Sequence, residues 1–338
     1  MAPKGKEAPV LSAVELAQYT WGVVAGKTKP HDWASAQPIG PIVKMEDFLI
    51  EMVVITSALF VTCWVWEKVG FHLAYSLGLS KGKSERFSSS WVELIYYSMS
   101  LLLGYTVFGG ESWLWPAGWA DNMSDGRVQT IPKVVPYTLP ADAKFAYLLE
   151  TAWVVGGFLR LVSRKPKKDF NEMLFHHIVT YSLLMLSYQI GFCRIGAVVY
   201  LLHNTFDPFL HLAKCMHYLK CPIIPDISFV LCAIVFAATR LYYYPIAIWY
   251  AWIGVCPDPV INKLSAATLA RCPGGPWGKT PVEFFELAAL SALLPVHCMW
   301  FYMILRVMQK SVLSSGVQGD VRSDSEEEEE EVPAKKTK

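Results

Sequence analysis

Seven runs of apolar residues, separated by short polar stretches, punctuate this chain: 47–66, 91–108, 144–162, 172–190, 194–215, 227–253 and 284–307. Each comes near the ~20 residues that an α-helix needs to cross ~30 Å of hydrocarbon. The pattern predicts an all-α integral membrane protein with about seven transmembrane helices and two polar ends. The fourth run is the weakest by hydropathy, because it contains the pair His176-His177. The sixth contains Pro245, where a missing backbone donor predicts a kink. Residues 1–45 are mixed, with a short surface helix expected over 10–19. They show no charged-then-apolar stretch ending in a small-residue cleavage site, so no signal peptide is expected.

The polar connections alternate in charge. Lys81, Lys83 and Arg86 follow the first run, Arg164, Lys165, Lys167 and Lys168 the third, Lys214 and Lys220 the fifth, and Lys310 the seventh. By the positive-inside rule these sides are cytosolic, which places loops 109–143 and 254–283 in the lumen. The first of these loops holds the sequon Asn122-Met123-Ser124, a candidate glycosylation site. The second holds Cys256 and Cys272, a candidate disulfide in an oxidising space. The run from Asp320 to Glu331 contains 8 of the chain's 29 acids and reads as a disordered, solvated tail, with Ser323 and Ser325 as candidate phosphorylation sites. Lys335 and Lys336 then stand four and three residues from the end, the dilysine pattern for retrieval to the endoplasmic reticulum.

Composition agrees: 53% hydrophobic, 17% charged and a mean hydropathy of +0.31 are too apolar for an ordinary soluble domain. The net charge of +1 hides a mildly basic body, yet no stretch forms a nucleic-acid stripe. No CxxC pair or zinc spacing occurs. Cys63, Cys193, Cys215, Cys232 and Cys298 lie in or beside apolar runs, where inert thiols are expected.

Against that background the stretch from Asn171 to Tyr218 stands out, because it holds five of the chain's eight histidines: His176, His177, His203, His211 and His217. An ionisable side chain at membrane depth costs roughly 2.5–3.5 kcal/mol, so a group of them marks a functional site. Taken as one helix, the fifth run places Tyr200, His203, Asp207, His211 and Lys214 within an arc of about 80°. His176 and His177 lie roughly 8–9 Å inside the fourth run, and Asp207 roughly 12 Å inside the fifth. Only one of the adjacent histidines can face a cavity squarely. The expectation is a cytosol-facing cavity below a rim of Lys165, Lys167, Lys168, Lys214 and Lys220. Histidine takes and returns protons near neutral pH and can act as a nucleophile, and a nearby carboxylate such as Asp207 can orient its ring. His297 is expected to be a bonded packing residue, and Tyr242, Tyr243, Tyr244, Trp249 and Trp300 to be interfacial anchors.

The ordered residues Lys168-Asp169-Phe170-Asn171-Glu172, His176-His177, Ser187-Tyr188, Arg194-Ile195-Gly196, Leu202-His203-Asn204-Thr205-Phe206-Asp207 and Lys214 resemble the Lag motif of the ceramide synthase (longevity-assurance) family, within its TLC domain. Arg86-Phe87, Trp91, Tyr96-Tyr97, Trp115-Pro116 and Tyr147-Leu148-Leu149-Glu150 extend the likeness to about 86–307. The resemblance implies six helices forming a TLC-type bundle around a polar cavity. The implied division is a lumenal segment 1–45, a first transmembrane helix and cytosolic linker 46–85, a TLC domain 86–310 and a cytosolic tail 311–338.

It also implies transfer of a fatty acyl group from acyl-CoA to the amine of a sphingoid base in the endoplasmic reticulum. Acyl-CoA would be a co-substrate and no cofactor or metal would be needed. The expected partners are acyl-CoA, the sphingoid base and membrane lipids, with a homo- or hetero-dimer left open and no nucleic acid. His176, His177, His203 and Asp207 would be catalytic. Tyr200, Asn204, His211, Lys214, Arg194, Lys165, Lys167 and Lys168 would contact substrate. The chain departs from the family at Asn204, where Asp is usual, and at His211, where Glu is usual. Two alternatives are a non-catalytic lipid-binding or regulatory TLC protein, and a metalloenzyme using the helical spacing of His203, Asp207 and His211.

Overall fold

The computed structural model describes residues 45–117, 119, 141–163, 169–190, 193–254 and 281–314. Its elements are α1 (Met45–Ser76), α2 (Lys81–Phe108), a 3₁₀ turn (Ser112–Leu114), α3 (Ala141–Ser163), α4 (Phe170–Ile190), α5 (Cys193–Asn204), α6 (Asp207–Tyr218), α7 (Ile224–Phe236), a π-helical segment (Ala237–Tyr243), α8 (Tyr244–Gly254) and α9 (Pro281–Ser314). No strand occurs among the described residues. Among the described residues, five continuous helical stretches are long and apolar enough to cross a membrane: Leu49–Ser76, Lys81–Phe108, Asp142–Ser163, Ile224–Trp252 and Phe284–Gln309. The protein is a multi-pass helical membrane protein.

Two predicted helices are interrupted, each beside a proline. The fifth apolar run is two helices, α5 and α6, with a bend at Thr205-Phe206. Pro208 stands in the first turn of α6 and explains the break, because its ring clashes with the carbonyl four residues back, that of Asn204. The sixth run does not simply kink at Pro245. It widens ahead of that residue into the π-helical Ala237–Tyr243, where the Tyr244 N–H reaches back five residues to the Thr239 carbonyl.

Membrane helices associate through close packing and interhelical hydrogen bonds rather than through exclusion of water. α2 is suited to this: Ser84, Ser88, Ser90, Ser100 and Gly104 are among its buried residues, and small side chains let neighbours approach. At Gly104 even a methyl group would collide with the Leu201 side chain of α5. α2 and α3 are joined by aromatic contact, with Tyr96 stacked on Trp153 at 3.6 Å and the Arg160 guanidinium 4.5 Å from the Trp153 ring centre. Contacts of these kinds contribute on the order of 0.5–1.5 kcal/mol each. α1 lies at the edge, with Leu49, Val53, Phe60 and Trp64 exposed as a lipid-facing surface requires.

Candidate active site

Residues of α2, α3, α4, α5, α6, α7, the π-helical segment and α9 line a cavity of about 650 Å³. On α4 its lining runs from Phe170 to Ser187, a length of about 26 Å at 1.5 Å per residue. His176, His177, Tyr200, His203, Asn204, Asp207, His211 and Lys214 all line it. The bend between α5 and α6 therefore does not disperse the polar residues of the fifth run.

Three imidazoles meet at the cavity wall, His176 and His203 lining it and His297 fully buried behind them. The ring centre of His176 lies 6.3 Å from that of His203, and the His203 centre lies 4.8 Å from that of His297. His203 Nε2 and His297 Nε2 are 3.0 Å apart, and His203 Nδ1 is 2.7 Å from the Val199 carbonyl. A carbonyl only accepts, so Nδ1 of His203 donates to it. The neutral ring then offers Nε2 as an acceptor, and His297 Nε2 is the donor. His203 is thus fixed in one tautomer and one orientation. Tyr244 holds the other side, its ring 5.0 Å from both His203 and His297 and its hydroxyl donating to the Leu290 carbonyl at 2.8 Å.

The paired histidines of α4 diverge, as adjacent helical residues must. His176 turns toward His203 and toward Trp300, whose ring is 5.0 Å away. His177 packs against α3 at Gly157, where an added Cβ would lie 2.9 Å from its Cε1. Nδ1 of both histidines and Oγ1 of Thr180 are buried without a hydrogen-bond partner among the described residues. Such groups sit ready to exchange hydrogen bonds with an occupant of the cavity.

Asp207 does not orient an imidazole. Its Oδ2 lies 3.5 Å from Arg240, a guanidinium buried in the π-helical segment, which also donates to the His203 carbonyl at 2.8 Å. Arg240 rests 4.2 Å from the ring centre of Phe206 and 5.1 Å from that of Phe236. It ties the end of α5 to the start of α6 across the bend. Asn204 turns to the opposite side and donates to Glu150 Oε2 of α3 at 3.0 Å and to Ser100 Oγ of α2 at 3.1 Å.

Other predicted residues are placed differently. His211 stacks on Tyr97 with ring centres 5.8 Å apart. Arg194 does not line the cavity; it stands at the start of α5 with its guanidinium 5.7 Å from the Trp113 ring centre. Trp300 and Tyr244 belong to the histidine cluster instead of forming an interfacial belt, whereas Tyr242 and Trp249 are exposed. Lys165, Lys167, Lys168, Asn122, Cys256, Cys272, Ser323, Ser325, Lys335 and Lys336 lie outside the described residues.

Sequence reading passed over Arg240, and expected of His297 the bonded packing role that the structure shows but not its place beside His203. The signal was present in both: each is an ionisable side chain inside an apolar run, the same feature that drew attention to the fourth and fifth runs.

Among the described residues, a helical membrane bundle thus brings imidazoles and a buried ion pair together along one cavity. The family model for the TLC domain shared by TRAM, LAG1 and CLN8 proteins matches residues 86–306. Ceramide synthase 4 from Mus musculus is 29% identical over 245 residues, 72% of this chain and 55% of that protein. Alternaria stem canker resistance protein 1 from Solanum lycopersicum is 30% identical over 255 residues, 73% of this chain and 76% of that protein. Sphingosine N-acyltransferase lac1 from Schizosaccharomyces pombe is 33% identical over 188 residues, 55% of this chain and 47% of that protein. The chain spans about half the length of the mammalian relatives that it matches. It belongs to the TLC-domain family and, within it, to the ceramide synthase (longevity-assurance) group.

Proposed function

We propose that the protein is an N-acyltransferase that moves a fatty acyl group from acyl-CoA to the amine of a sphingoid base. The observation that carries this reading is the alignment of His176 and His203, with His297 behind, along an intramembrane cavity long enough for a lipid chain. Relatives named ceramide synthase and sphingosine N-acyltransferase support it. α4 and the α5–α6 pair are taken to cross the membrane as well, giving seven crossings; 21 residues of α4 span about 31 Å. The basic connections face the cytosol, and the membrane that houses the protein is that of the endoplasmic reticulum, as the resemblance to ceramide synthases implies.

In the reaction the substrate ammonium first loses one proton to water. Its nitrogen lone pair attacks the thioester carbonyl while His176 accepts a second proton. The C–N bond forms, the C–S bond breaks, and His176 returns its proton to the departing thiolate. The products are the amide and CoA thiol. His203, fixed by Val199 and His297, holds its neutral ring alongside that of His176, and the slot excludes water that would otherwise hydrolyse the thioester.

The test supplies microsomes containing the protein with a panel of acyl-CoAs and sphingoid bases, beside a His176→Ala/His177→Ala double variant. The expected result is N-acyl product from the wild type and none above an empty-vector control from the variant. Equal product from both refutes the site.

A further inference from the structure

Glu150 is a buried acid whose surroundings are unlike those of Asp207 and Glu93, two other carboxylates that line the cavity. Asp207 faces Arg240 at 3.5 Å and Glu93 faces Arg160 at 3.4 Å. Glu150, only 5% exposed, instead accepts from Tyr96 at 3.1 Å, Ser100 at 3.1 Å and Asn204 at 3.0 Å, and each of these donors is neutral. All three bonds end on Oε2. Oε1 accepts none of them and is left to the cavity that the residue lines. No cationic side chain among the described residues neutralises it. Leaving a charge in a low-dielectric interior without a counter-charge is costly, so an acid held this way is built for a cation that arrives with a ligand.

A second observation points to the same place. Tyr200 is 5% exposed, lines the same cavity, and its hydroxyl has no hydrogen-bond partner among the described residues. It lies one helical turn before Asn204 on α5, on the face that meets Glu150, while His203 is Asn204's neighbour in sequence. Glu150 Oε1 and the Tyr200 hydroxyl are thus two polar groups without a hydrogen bond among the described residues, on side chains that line the same cavity as His176 and His203.

We infer that Glu150 and Tyr200 form the binding site for the head of an amino-alcohol lipid: Glu150 Oε1 receives its ammonium and the Tyr200 hydroxyl bonds a hydroxyl of the same head. This deepens, and rests on, the N-acyltransferase reading, since it sets the amine in the cavity that His203 and His176 also line. It also gives the departure at residue 204 a purpose. Asn204 donates to Glu150 as a neutral amide and leaves one carboxylate there; an aspartate would put two carboxylates in contact, which cannot both ionise.

Binding to purified full-length protein in detergent, by scintillation proximity, separates the two groups. Labelled octadecylamine has the ammonium and no hydroxyl, and labelled 1,2-octadecanediol has the hydroxyls and no amine. Glu150→Gln is close to isosteric, and its amide oxygen can still accept from Tyr96, Ser100 and Asn204. It should weaken octadecylamine about tenfold or more and leave the diol within about twofold. Tyr200→Phe should do the reverse. Retained diol binding by Glu150→Gln shows that the variant is folded. Unchanged octadecylamine affinity in folded Glu150→Gln overturns the proposal, as does a loss of both ligands in a Glu150→Gln variant whose melting temperature is unchanged. Amine binding that depends on Glu150, in a protein that makes no amide from acyl-CoA, would sustain this site and refute the acyltransferase reading instead.

Discussion

Arg240 offers the sharpest test of how the site is held together. Replacing it with Met keeps an unbranched side chain of similar length against Phe206 and Phe236 and removes the guanidinium. Asp207 is then buried without a counter-charge, and deleting one partner of a buried ion pair costs about 3–5 kcal/mol. The hydrogen bond from Arg240 to the His203 carbonyl, of a kind worth about 1.5–3 kcal/mol, is lost in the same step. The two losses overlap because one group makes both contacts, and the 3.5 Å ion pair is at the long end of the range. The expected destabilisation is therefore near the lower bound, about 3 kcal/mol, or roughly two orders of magnitude in the folding equilibrium. Unfolding of purified protein in mixed micelles by SDS titration, followed by tryptophan fluorescence, reads this directly. The double variant Arg240→Met/Asp207→Asn removes both charges and should recover about 1–2 kcal/mol relative to the sum of the single changes. A single-variant loss below about 1 kcal/mol, or strictly additive losses in the double variant, would refute the idea that this pair clamps the bend.

Four further outcomes follow from the geometry. His176→Ala should lower N-acylation by about 10²–10⁴-fold, the range for losing a general base, with a smaller loss for His177→Ala; the reverse order in a microsomal assay would move the reacting imidazole to His177. His297→Phe removes the donor to His203 Nε2 and should lower kcat about tenfold or more with little change in the KM for acyl-CoA, while His297→Gln, which retains an N–H, should recover part of it; equal effects of the two changes would show that packing alone matters. Gly157→Ala forces the His177 ring to move and should reduce turnover while the SDS midpoint changes little; unaltered turnover would mean that the ring's position is unimportant. Asn204→Asp should lower both turnover and stability, because a second acid would crowd Glu150; turnover equal to that of the wild type would show that the site does not require the amide.

The parts of the molecule that depend on length and polarity were legible in the chain. Five of the seven apolar runs correspond to helices long and apolar enough to span, and the histidines that looked anomalous in apolar surroundings do converge on one cavity. What hydropathy could not register was local backbone geometry. A window over 194–215 averages across Pro208 and sees one helix, whereas the proline's clash with the preceding turn makes two. Arg240 was hidden for a related reason: a single charge among Phe236, Tyr242, Tyr243 and Tyr244 barely lowers the local mean. Asp207 was legible as a buried acid but its partner was not. That partner comes from 33 positions further along the chain, and spacing within one helix says nothing about a neighbour. The network around Glu150 joins α2, α3 and α5 and was equally beyond reach, although each of its members was visible.

The wide turn at Ala237–Tyr243 makes the span from Ile224 to Gly254 a poor ruler. A π turn spends one more residue than an α turn on the same loop, so the count of residues overstates the height climbed and shifts the phase of everything beyond it. Excising one residue there would let the span close into an unbroken α-helix with little change in hydropathy. It would also change the angle and height of Tyr244 relative to Arg240, and with them the seat of its ring beside the imidazoles. Between these two side chains, gaps and insertions should be far less tolerated than substitutions.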